Sequence, residues 1–345
     1  MKNELYRSYD QEFYYRYLDG SLPPVVLDFH AHTWRREDFR NVPWESGQEG
    51  GRYMVVRTQY PLDELLADGS TLFPDRSYQA VCFGMPTPAA DIAGTNAYLA
   101  DVRNNACFPL MIMGSDRHDT EGIRRDVIAG GFWGYKVYLP WFGNDYGDIR
   151  VWDLFSEESL QVADEMRLVI LLHVPGSDRL AHPRTQAEVR DLAKRYPSAQ
   201  FVLAHCGRCY MPRQMLNAID AVKDVENVYF DTSMVMDPAV LSIVFQRMDS
   251  RRVLFGTDLP VPMMRGSRVS IGTHWVDVVL DEGYPPSGYR VASNDFQATF
   301  MAYEIVNAIL VAGEIARLSS DEISQIFYDN GKAVLDRVRR EPQSV

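Results

Sequence analysis

The chain has 345 residues, of which 46% are hydrophobic and 24% charged, a composition typical of a globular protein and not of a disordered chain. Its formal net charge is −12, and a negative surface repels nucleic-acid phosphates and anionic lipid, so we expect neither as a partner. No stretch approaches the roughly 18 apolar residues of a membrane-spanning helix. Residues 1–24 lack the apolar core of a signal peptide, and four cysteines are too few for a disulfide scaffold. A cytoplasmic protein is therefore expected.

Eight short apolar segments recur along the chain and predict β-strands. Each is nearly continuous in apolar residues and bounded by Gly, Pro or Asp, which is typical of strands buried on both faces of a parallel sheet. In chain order they are residues 25–29, 80–85, 108–113, 133–138, 168–172, 200–204, 228–231 and 252–256.

Helix signals separate most of these strands. Asp119 can cap a helix whose apolar residues follow at helical spacing, and Asp237 with Pro238 begins another helix. Ser319 to Glu322 forms a capping box at the start of a third. Eight strand–helix alternations predict an α/β protein of the (β/α)8 TIM-barrel type, with an open doubly wound sheet as the alternative. The chain has neither a G-x-G-x-x-G after its first strand nor a Walker A sequence, which disfavours dinucleotide and P-loop folds.

The domain organisation follows from the same pattern. We predict an N-terminal helical extension over residues 1–24 and a single barrel domain over residues 25–345. Long loops are predicted at residues 34–75, after strand one, and at residues 259–293, after strand eight. Both would lie at the carboxyl ends of the strands, where barrel enzymes carry their active sites.

Two histidines end the first predicted strand, in Asp28-Phe29-His30-Ala31-His32. Alternate residues of a strand point to the same side, so His30 and His32 form a chelating pair for a divalent transition metal. The alternative is two turn histidines that are hydrogen-bonded to the backbone.

Three more side chains able to bind a metal follow predicted strands: His173 after the fifth, His205 after the sixth and Asp258 after the eighth. A single polar residue at a strand end is usually a satisfied cap. Five such groups at the carboxyl ends of four barrel strands would converge on one point, and this predicts a metal site.

These motifs, in this order, resemble the amidohydrolase superfamily, and within it the amidohydrolase-related branch that includes aminocarboxymuconate-semialdehyde decarboxylase. The resemblance extends from Asp28 to about Asn330. The matching motifs are Asp28-x-His30-x-His32, His173, His205-Cys206-Gly207 with Pro212, Gly256-Thr257-Asp258-Leu259-Pro260, and Ser319 and Glu322 with Asn330.

The resemblance implies one divalent metal ion, zinc first and manganese as the alternative, held by His30, His32, His173 and Asp258. It further implies that Asp258 is the proton shuttle and that His205 is a general base or electrostatic partner of a water. A divalent ion in such a site polarises a carbonyl and lowers the pKa of bound water to about 7.

Lys136, on the fourth predicted strand, leaves the metal count open. In binuclear members of the superfamily a carbamylated lysine on this strand bridges two ions. Alternatively, Lys136 binds a substrate carboxylate or pairs with a barrel carboxylate. Tyr138 shares its face and is a second candidate for substrate binding. Arg57, in the first long loop, is a third, because related decarboxylases place an arginine of this loop on a substrate carboxylate; the alternative is a solvated loop residue.

The remaining chemistry-bearing residues fit no predicted site. Cys206 and Cys209 form a single C-x-x-C without a second pair, and we interpret them as small loop residues. His118, His182 and His274 match no ligand position of the family, so surface or structural roles are expected.

The sequence therefore predicts a metal-dependent hydrolase that directs an activated water onto the carbonyl of an amide, a lactone or a related bond in a small organic substrate. The alternative is a non-oxidative decarboxylase of an aromatic or unsaturated carboxylic acid. A non-catalytic barrel is disfavoured because every ligand position is filled. The expected partners are a small-molecule substrate, for example a carboxylic acid, and other copies of the chain in a homo-oligomer such as a dimer.

Overall fold

Two parallel β-sheets form the centre of the molecule in a computed structural model that describes residues 7–39, 57–85, 89–137, 139, 147–279 and 297–338. The three-stranded sheet contains β1 (Val25–His32), β2 (Ser77–Phe83) and β3 (Cys107–Pro109). The six-stranded sheet contains β4 (Met111–Ile112), β5 (Gly134–Val137), β6 (Val169–Leu172), β7 (Gln200–Leu203), β8 (Val228–Asp231) and β9 (Val253–Leu254). All neighbours within these sheets are parallel, so the predicted parallel α/β architecture is confirmed.

Backbone hydrogen bonds connect the two sheets at both ends of the series. Between β3 and β4, the Leu110 amide donates to the Cys82 carbonyl on β2 at 2.9 Å. Beyond β9, the Phe255 carbonyl accepts from Phe29 on β1 at 2.7 Å. These bonds place the carboxyl end of β1 beside the segment that follows β9.

Each predicted strand overlaps an observed one; the seventh has the predicted bounds, and the others are shifted. The first extends three residues further and includes His30 and His32. The third is divided at Leu110 into β3 and β4. The eighth is short, because β9 covers only Val253–Leu254.

Helices cover the strands from outside and begin where the sequence signals them. Asp119 accepts a hydrogen bond from the Gly122 amide at 3.0 Å, and Ser319 and Glu322 cap each other's backbone amides. The helices are α1 (Ser8–Phe13), α2 (Leu62–Leu72), α3 (Ile92–Val102), α4 (Thr120–Gly130), α5 (Glu157–Met166), α6 (Pro183–Arg195), α7 (Pro212–Ala218), α8 (Pro238–Arg247), α9 (Met301–Ala316), α10 (Ser320–Phe327) and α11 (Asp329–Asp336). No helix in the described ranges combines the length and apolar character needed to cross a membrane.

The two long connections contain regular structure of their own. The first includes α2, and the second includes an antiparallel hairpin of β10 (Gly266–Ile271) and β11 (His274–Val279). Residues 40–56 of the first connection and residues 280–296 of the second lie outside the described part of the chain.

Alternate strand residues pack into two separate apolar clusters. Val26 and Ile170 belong to the cluster shared with the helices, whereas Leu27 and Leu171 belong to a smaller inner cluster. This alternation is expected of strands buried on both faces. The last helix is held to the base of β9 by Asn330, whose amide donates to the Val253 carbonyl at 2.9 Å.

One cysteine pair forms a disulfide, between Cys82 on β2 and Cys107 on β3. Cys206 and Cys209 are free and buried. The sequence analysis did not predict this disulfide, because the pairing depends on two strands that become neighbours only in the folded sheet.

Candidate active site

His30 and His32 lie at the carboxyl end of β1, on the same side of the strand. Their ring centres are 5.8 Å apart, and both rings pack edge-on against Phe83 of β2, at 5.1 and 4.6 Å. A local irregularity in the pairing of β1 with β2 falls between Asp28 and Ala31, in the part of the strand that carries His30. The predicted pair is therefore in place to chelate one ion from a single strand end.

Asp28 is a structural carboxylate beneath this pair. It accepts hydrogen bonds from the His30 amide at 3.0 Å, the Thr257 amide at 2.9 Å and the Tyr78 hydroxyl at 2.8 Å. Burial raises its pKa to about 6, although these hydrogen bonds act in the opposite direction. Asp28 thereby connects β1 to the segment that carries Asp258, and both of its carboxylate oxygens accept hydrogen bonds from the protein.

Asp258 faces both histidines of β1. Its amide donates to the His30 carbonyl at 2.7 Å, and its backbone adopts a left-handed conformation with φ of 78°. Its Oδ1 lies 3.4 Å from His30 Nε2 and 3.1 Å from His32 Nε2. Burial alone would raise the pKa of this carboxyl, but the rings of His30, His32 and His205 outweigh that effect and hold the pKa below its usual range.

The other ring nitrogens of His30 and His32 are engaged on the far side. His30 Nδ1 lies 2.9 Å from Asp231 Oδ2, and His32 Nδ1 lies 3.1 Å from the Gly84 carbonyl. A carboxylate and a carbonyl are acceptors only, so each Nδ1 carries a proton, and in the neutral form of each ring Nε2 presents a lone pair.

His205 is oriented in the same manner by a different strand. Its Nδ1 donates to the Ser233 carbonyl at 3.0 Å, which leaves Nε2 as a lone-pair donor. The backbone at His205, Cys206 and Gly207 is left-handed, with φ of 55°, 50° and 69°. This tight turn directly after β7 folds the His205 ring back toward His30, with ring centres 4.8 Å apart.

Burial favours the neutral form of three histidines of this group. It lowers the pKa of His205 to about 3, and it lowers the pKa of His32 and His173 as well. Neutral Nε2 lone pairs and an ionised Asp258 oxygen all face one another at about hydrogen-bond distance, an arrangement that is repulsive unless a cation lies between them. Imidazole nitrogens with one carboxylate are the ligands that zinc and related ions prefer, so the residues fit a divalent metal.

The most compact part of the cluster consists of His30, His205 and Asp258, whose potential ligand atoms lie within 4.8 Å of one another. It is the only such group among the residues that the structure describes. His32 joins it through Asp258, and His173 lies beside His205 with ring centres 5.2 Å apart. The structure thus brings together all five predicted residues. Whether His205 binds the metal or a water stays a prediction.

Two residues that the sequence analysis missed organise the cluster from β8. Asp231 accepts the His205 amide at 2.9 Å as well as the His30 ring proton. Ser233 Oγ lies 2.8 Å from His205 Nδ1 and 3.1 Å from His30 Nδ1. Asp231 ends a predicted strand, as the metal-binding candidates do, and this position could have identified it from the sequence. No sequence feature singled out Ser233.

Lys136 lies on β5 below the cluster. Its ammonium is buried and lies 5.0 Å from the centre of the Phe83 ring. Burial lowers its pKa to about 8, against the opposing effect of Asp231 and Asp258. Tyr138, the neighbouring substrate-binding candidate, lies outside the described residues.

Arg57 is not brought to the histidine cluster. Its guanidinium pairs with Asp68 at 2.9 Å and Glu64 at 3.4 Å, both on α2, and packs over the ring of Tyr60. This placement matches neither the solvated alternative nor a direct contact with the histidines, because the carboxylates of α2 surround it. Its role toward a substrate stays a prediction.

The remaining histidines and the C-x-x-C cysteines take no part in the cluster. His118 pairs with Glu158 at 3.2 Å on the surface, and His182 caps α6 by accepting the Arg184 amide at 3.1 Å. Cys206 donates to the Asp231 carbonyl at 3.3 Å, and burial raises the pKa of its thiol.

Comparison with known proteins agrees with this geometry. A family model described as Amidohydrolase matches residues 27–337, whereas no curated protein matches the sequence. A similar solved structure is 4-oxalomesaconate hydratase from Rhodopseudomonas palustris, with 18% identity, a TM-score of 0.55, and coverage of 91% of this chain and 96% of that one.

Two decarboxylases are also similar in structure. The 5-carboxyvanillate decarboxylase of Novosphingobium aromaticivorans, which contains bound manganese, has 14% identity and a TM-score of 0.58, covering 90% of this chain and 97% of its own. A 2,6-dihydroxybenzoate decarboxylase complexed with 2,6-dihydroxybenzoate has 14% identity and a TM-score of 0.51, covering 91% of this chain and 99% of its own. At these identities the likeness shows the fold alone.

Proposed function

The chain belongs to the amidohydrolase family, and from that premise we propose that it is a metal-dependent hydrolase built on a closed (β/α)8 barrel. The substrate is a small organic molecule with an amide, lactone or related bond. The observation that supports this most directly is the approach of Asp258 Oδ1 to the Nε2 atoms of His30 and His32, at 3.4 and 3.1 Å. With both rings neutral, these three atoms are all acceptors, and a divalent cation shared between them stabilises the arrangement.

His30, His32, His173 and Asp258 would hold one divalent ion, zinc first and manganese as the alternative. Such an ion supplies polarisation of a carbonyl and acidification of a water. A second ion bridged by a carbamylated Lys136 is the alternative stoichiometry. We further propose a homo-oligomer and a cytoplasmic location, as expected from the sequence.

The protein's own groups perform the proton transfers in this proposal. Asp258 accepts the proton of the attacking water and passes it to the leaving group. His205, whose Nδ1 proton is committed to the Ser233 carbonyl at 3.0 Å, offers Nε2 as the acceptor that orients the water. The burial that keeps His205 neutral leaves Nε2 able to accept a hydrogen bond from the water at neutral pH, although the lowered pKa makes the ring a weak base.

Decarboxylation of an aromatic or unsaturated acid is the second candidate. The guanidinium groups of Arg179 and Arg268 lie 5.8 and 4.4 Å from the ring centre of Tyr210, which is 5.9 Å from that of His205. A decarboxylase needs cations at its substrate's carboxylate. Two proteins of similar structure are decarboxylases of aromatic acids. In this case the carbon that loses carbon dioxide keeps the electron pair of the broken C–C bond and takes up a proton that comes from water, delivered by Asp258 after it has accepted that proton or by the water itself.

The first test is the metal content of protein purified without added metal, measured by elemental mass spectrometry. We expect about one equivalent of zinc or manganese in the parent protein and none in His30→Ala. His118→Ala, which alters an exposed histidine outside the cluster, is the matched control and should retain the metal. A parent protein that holds no metal and takes up none on titration would overturn the proposal.

The reaction type is tested on the metal-loaded protein. Lactones and amides are screened for ring opening or amine release, and aromatic acids for release of carbon dioxide. Turnover of lactones or amides that is lost in Asp258→Asn supports hydrolysis. Release of carbon dioxide as the only activity would replace hydrolysis by the second candidate.

A further inference from the structure

Asp10, in the N-terminal helix α1, is a buried carboxylate outside the histidine cluster. None of its surface is exposed, and acidic side chains are almost never fully buried unless they are paired. Its Oδ2 accepts hydrogen bonds from the Arg265 guanidinium at 2.5 Å and from the Arg7 amide at 2.9 Å. Its Oδ1 accepts one from the Thr299 hydroxyl at 3.0 Å. Asp10 therefore connects α1 with two residues that lie beyond β9 in the chain.

Arg265 and Thr299 lie at the base of the β10–β11 hairpin, on the two segments that meet there. Arg265 forms an antiparallel bridge with Phe300, and the Gly266 amide donates to the Thr299 carbonyl at 3.1 Å. Gly266 is also the first residue of β10, so the hairpin begins directly at this junction. Arg265 is buried and packs over the Phe300 ring at 4.4 Å. One carboxylate thus binds a side chain on each of the two segments that meet at the base of the hairpin.

The hairpin contacts the candidate active site through Arg268. This guanidinium bonds to Asp277 across the two strands, at 2.7 and 3.0 Å. It packs against the rings of Tyr210 and Trp275, 4.4 and 4.0 Å from their centres. The two ring centres are 5.1 Å apart, and that of Tyr210 is 5.9 Å from the centre of the His205 ring. The position of the hairpin therefore determines where the Tyr210 ring lies beside His205.

The hairpin needs contacts at its base to keep one position. It consists of two strands, and a two-stranded hairpin by itself is only marginally stable in water. Its tip is exposed, with 61% of the surface of Ile271 accessible. Removing one partner of a buried ion pair leaves an uncompensated charge and is strongly destabilising. The pair of Asp10 with Arg265 therefore opposes displacement of the hairpin from its base.

We propose that Asp10 is a positioning residue of the candidate active site: it fixes the base of the β10–β11 hairpin, and the hairpin holds the Tyr210 ring beside His205. The N-terminal helix is then part of the architecture of the site, although Asp10 binds Arg265, Thr299 and Arg7 and no candidate metal ligand. The inference rests on the proposed function only in that a substrate binds in the space beside His205.

Hydrogen–deuterium exchange of the full-length protein, resolved by peptide, tests the contact at the base. We expect Asp10→Asn to exchange about 10- to 100-fold faster in the peptide of residues 266–279, because hydrogen bonds to charged groups contribute free energy of that order. Peptides from β5, β6 and β7 should keep the parental rate. Arg265→Lys should retain part of the protection, because its charge remains. Glu188→Gln removes a buried carboxylate that binds Arg150 on α6; it is the matched control and should leave the hairpin peptide unchanged.

The fluorescence of Trp275 tests whether the hairpin moves away from Tyr210. Its emission is obtained as the difference between each protein and the same protein with Trp275→Phe. We expect Asp10→Asn to shift this emission to longer wavelength, because Trp275 leaves its contacts with Tyr210 and Arg268 and becomes solvated. Glu188→Gln should not shift it.

Parental exchange in the hairpin peptide or parental Trp275 emission in Asp10→Asn would overturn the proposal. An equal acceleration of exchange in all peptides would also overturn it, because Asp10 would then support the whole fold. If Asp10→Asn does not fold, Thr299→Val decides, since it removes one hydrogen bond and leaves the ion pair: faster exchange in the hairpin peptide alone supports the proposal, and parental exchange there refutes it. Neither measurement requires metal or substrate, so a parent protein without metal would refute the metal mechanism and leave this proposal standing on its own result.

Discussion

His32 Nε2 and Asp258 Oδ1 lie 3.1 Å apart although 226 residues separate them in the chain. The Nδ1 proton of His32 is committed to the Gly84 carbonyl at 3.1 Å, so two lone-pair donors face each other across this gap. With the ring neutral, the contact is repulsive, and a shared divalent cation would turn it into a favourable one. Both the proposed metal and the proposed proton shuttle depend on this relationship.

Replacing Asp258 by Asn should remove the anionic ligand while retaining its shape. We expect metal affinity to fall by more than the roughly 10- to 100-fold typical of residues that only support a ligand. Competition with a chelator of known affinity measures the change. Asp277→Asn, which removes a carboxylate from the hairpin, is the control; equal metal affinity in parent and Asp258→Asn would contradict the expectation.

Ser233→Ala should loosen the orientation of two rings at once. The hydroxyl lies 2.8 Å from His205 Nδ1 and 3.1 Å from His30 Nδ1, so its loss removes support without removing a ligand. Metal affinity is expected to fall by about 10- to 100-fold, and the ring ¹⁵N shifts of His30 and His205 should move. Ser242→Ala, a buried serine on α8, should change neither quantity. A Ser233→Ala protein with the parental metal affinity and ring ¹⁵N shifts would show that the backbone alone is enough to orient the two rings.

Stability should depend on pH through His205. Burial lowers its pKa to about 3 from the usual 6.5, so the unfolded chain binds a proton between these values that the folded protein does not. This contribution to the free energy of unfolding is present above about pH 6.5 and is lost as the pH falls toward 3. Urea titrations of the metal-free protein at several pH values between about 4 and about 7 measure this loss of unfolding free energy. His205→Gln should show a smaller loss on acidification; the same pH slope in both proteins would contradict the assignment.

Arg57 offers a test of a structural role against a substrate-binding role. Because Asp68 and Glu64 hold its guanidinium, Arg57→Gln should lower the free energy of unfolding by about 1 kcal/mol or less. The affinities for benzoate and succinate, measured by isothermal titration calorimetry, should stay at the parental value. A fall in carboxylate affinity with unchanged stability would instead favour the role expected from the family resemblance.

Gly134 controls the packing of β5 on β6. A Cβ built there would lie 1.8 Å from the Val169 carbonyl oxygen, so Gly134→Ala must push the two strands apart. We expect a loss of about 2 to 4 kcal/mol in the free energy of unfolding, measured by urea titration. Gly20→Ala meets no atom within 4 Å and should be close to neutral. A parental midpoint for Gly134→Ala would mean that the strands can separate at little cost.

The amino-acid sequence by itself determined the parallel α/β architecture and the positions of His30, His32, His173, His205 and Asp258. Strand burial follows from local runs of apolar residues, and the carboxyl ends of parallel strands meet at one edge, so polar residues at those ends converge. The tertiary structure alone decided how the cluster is held. Ser233 supports His30 across 203 residues of sequence, and Arg57 pairs with α2 instead of reaching the histidines. The grouping of Arg179 and Tyr210 likewise arises from packing between separate loops. Local periodicity records which side chains are buried, whereas hydrogen-bond and charge partners distant in the chain are fixed only when the strands assemble.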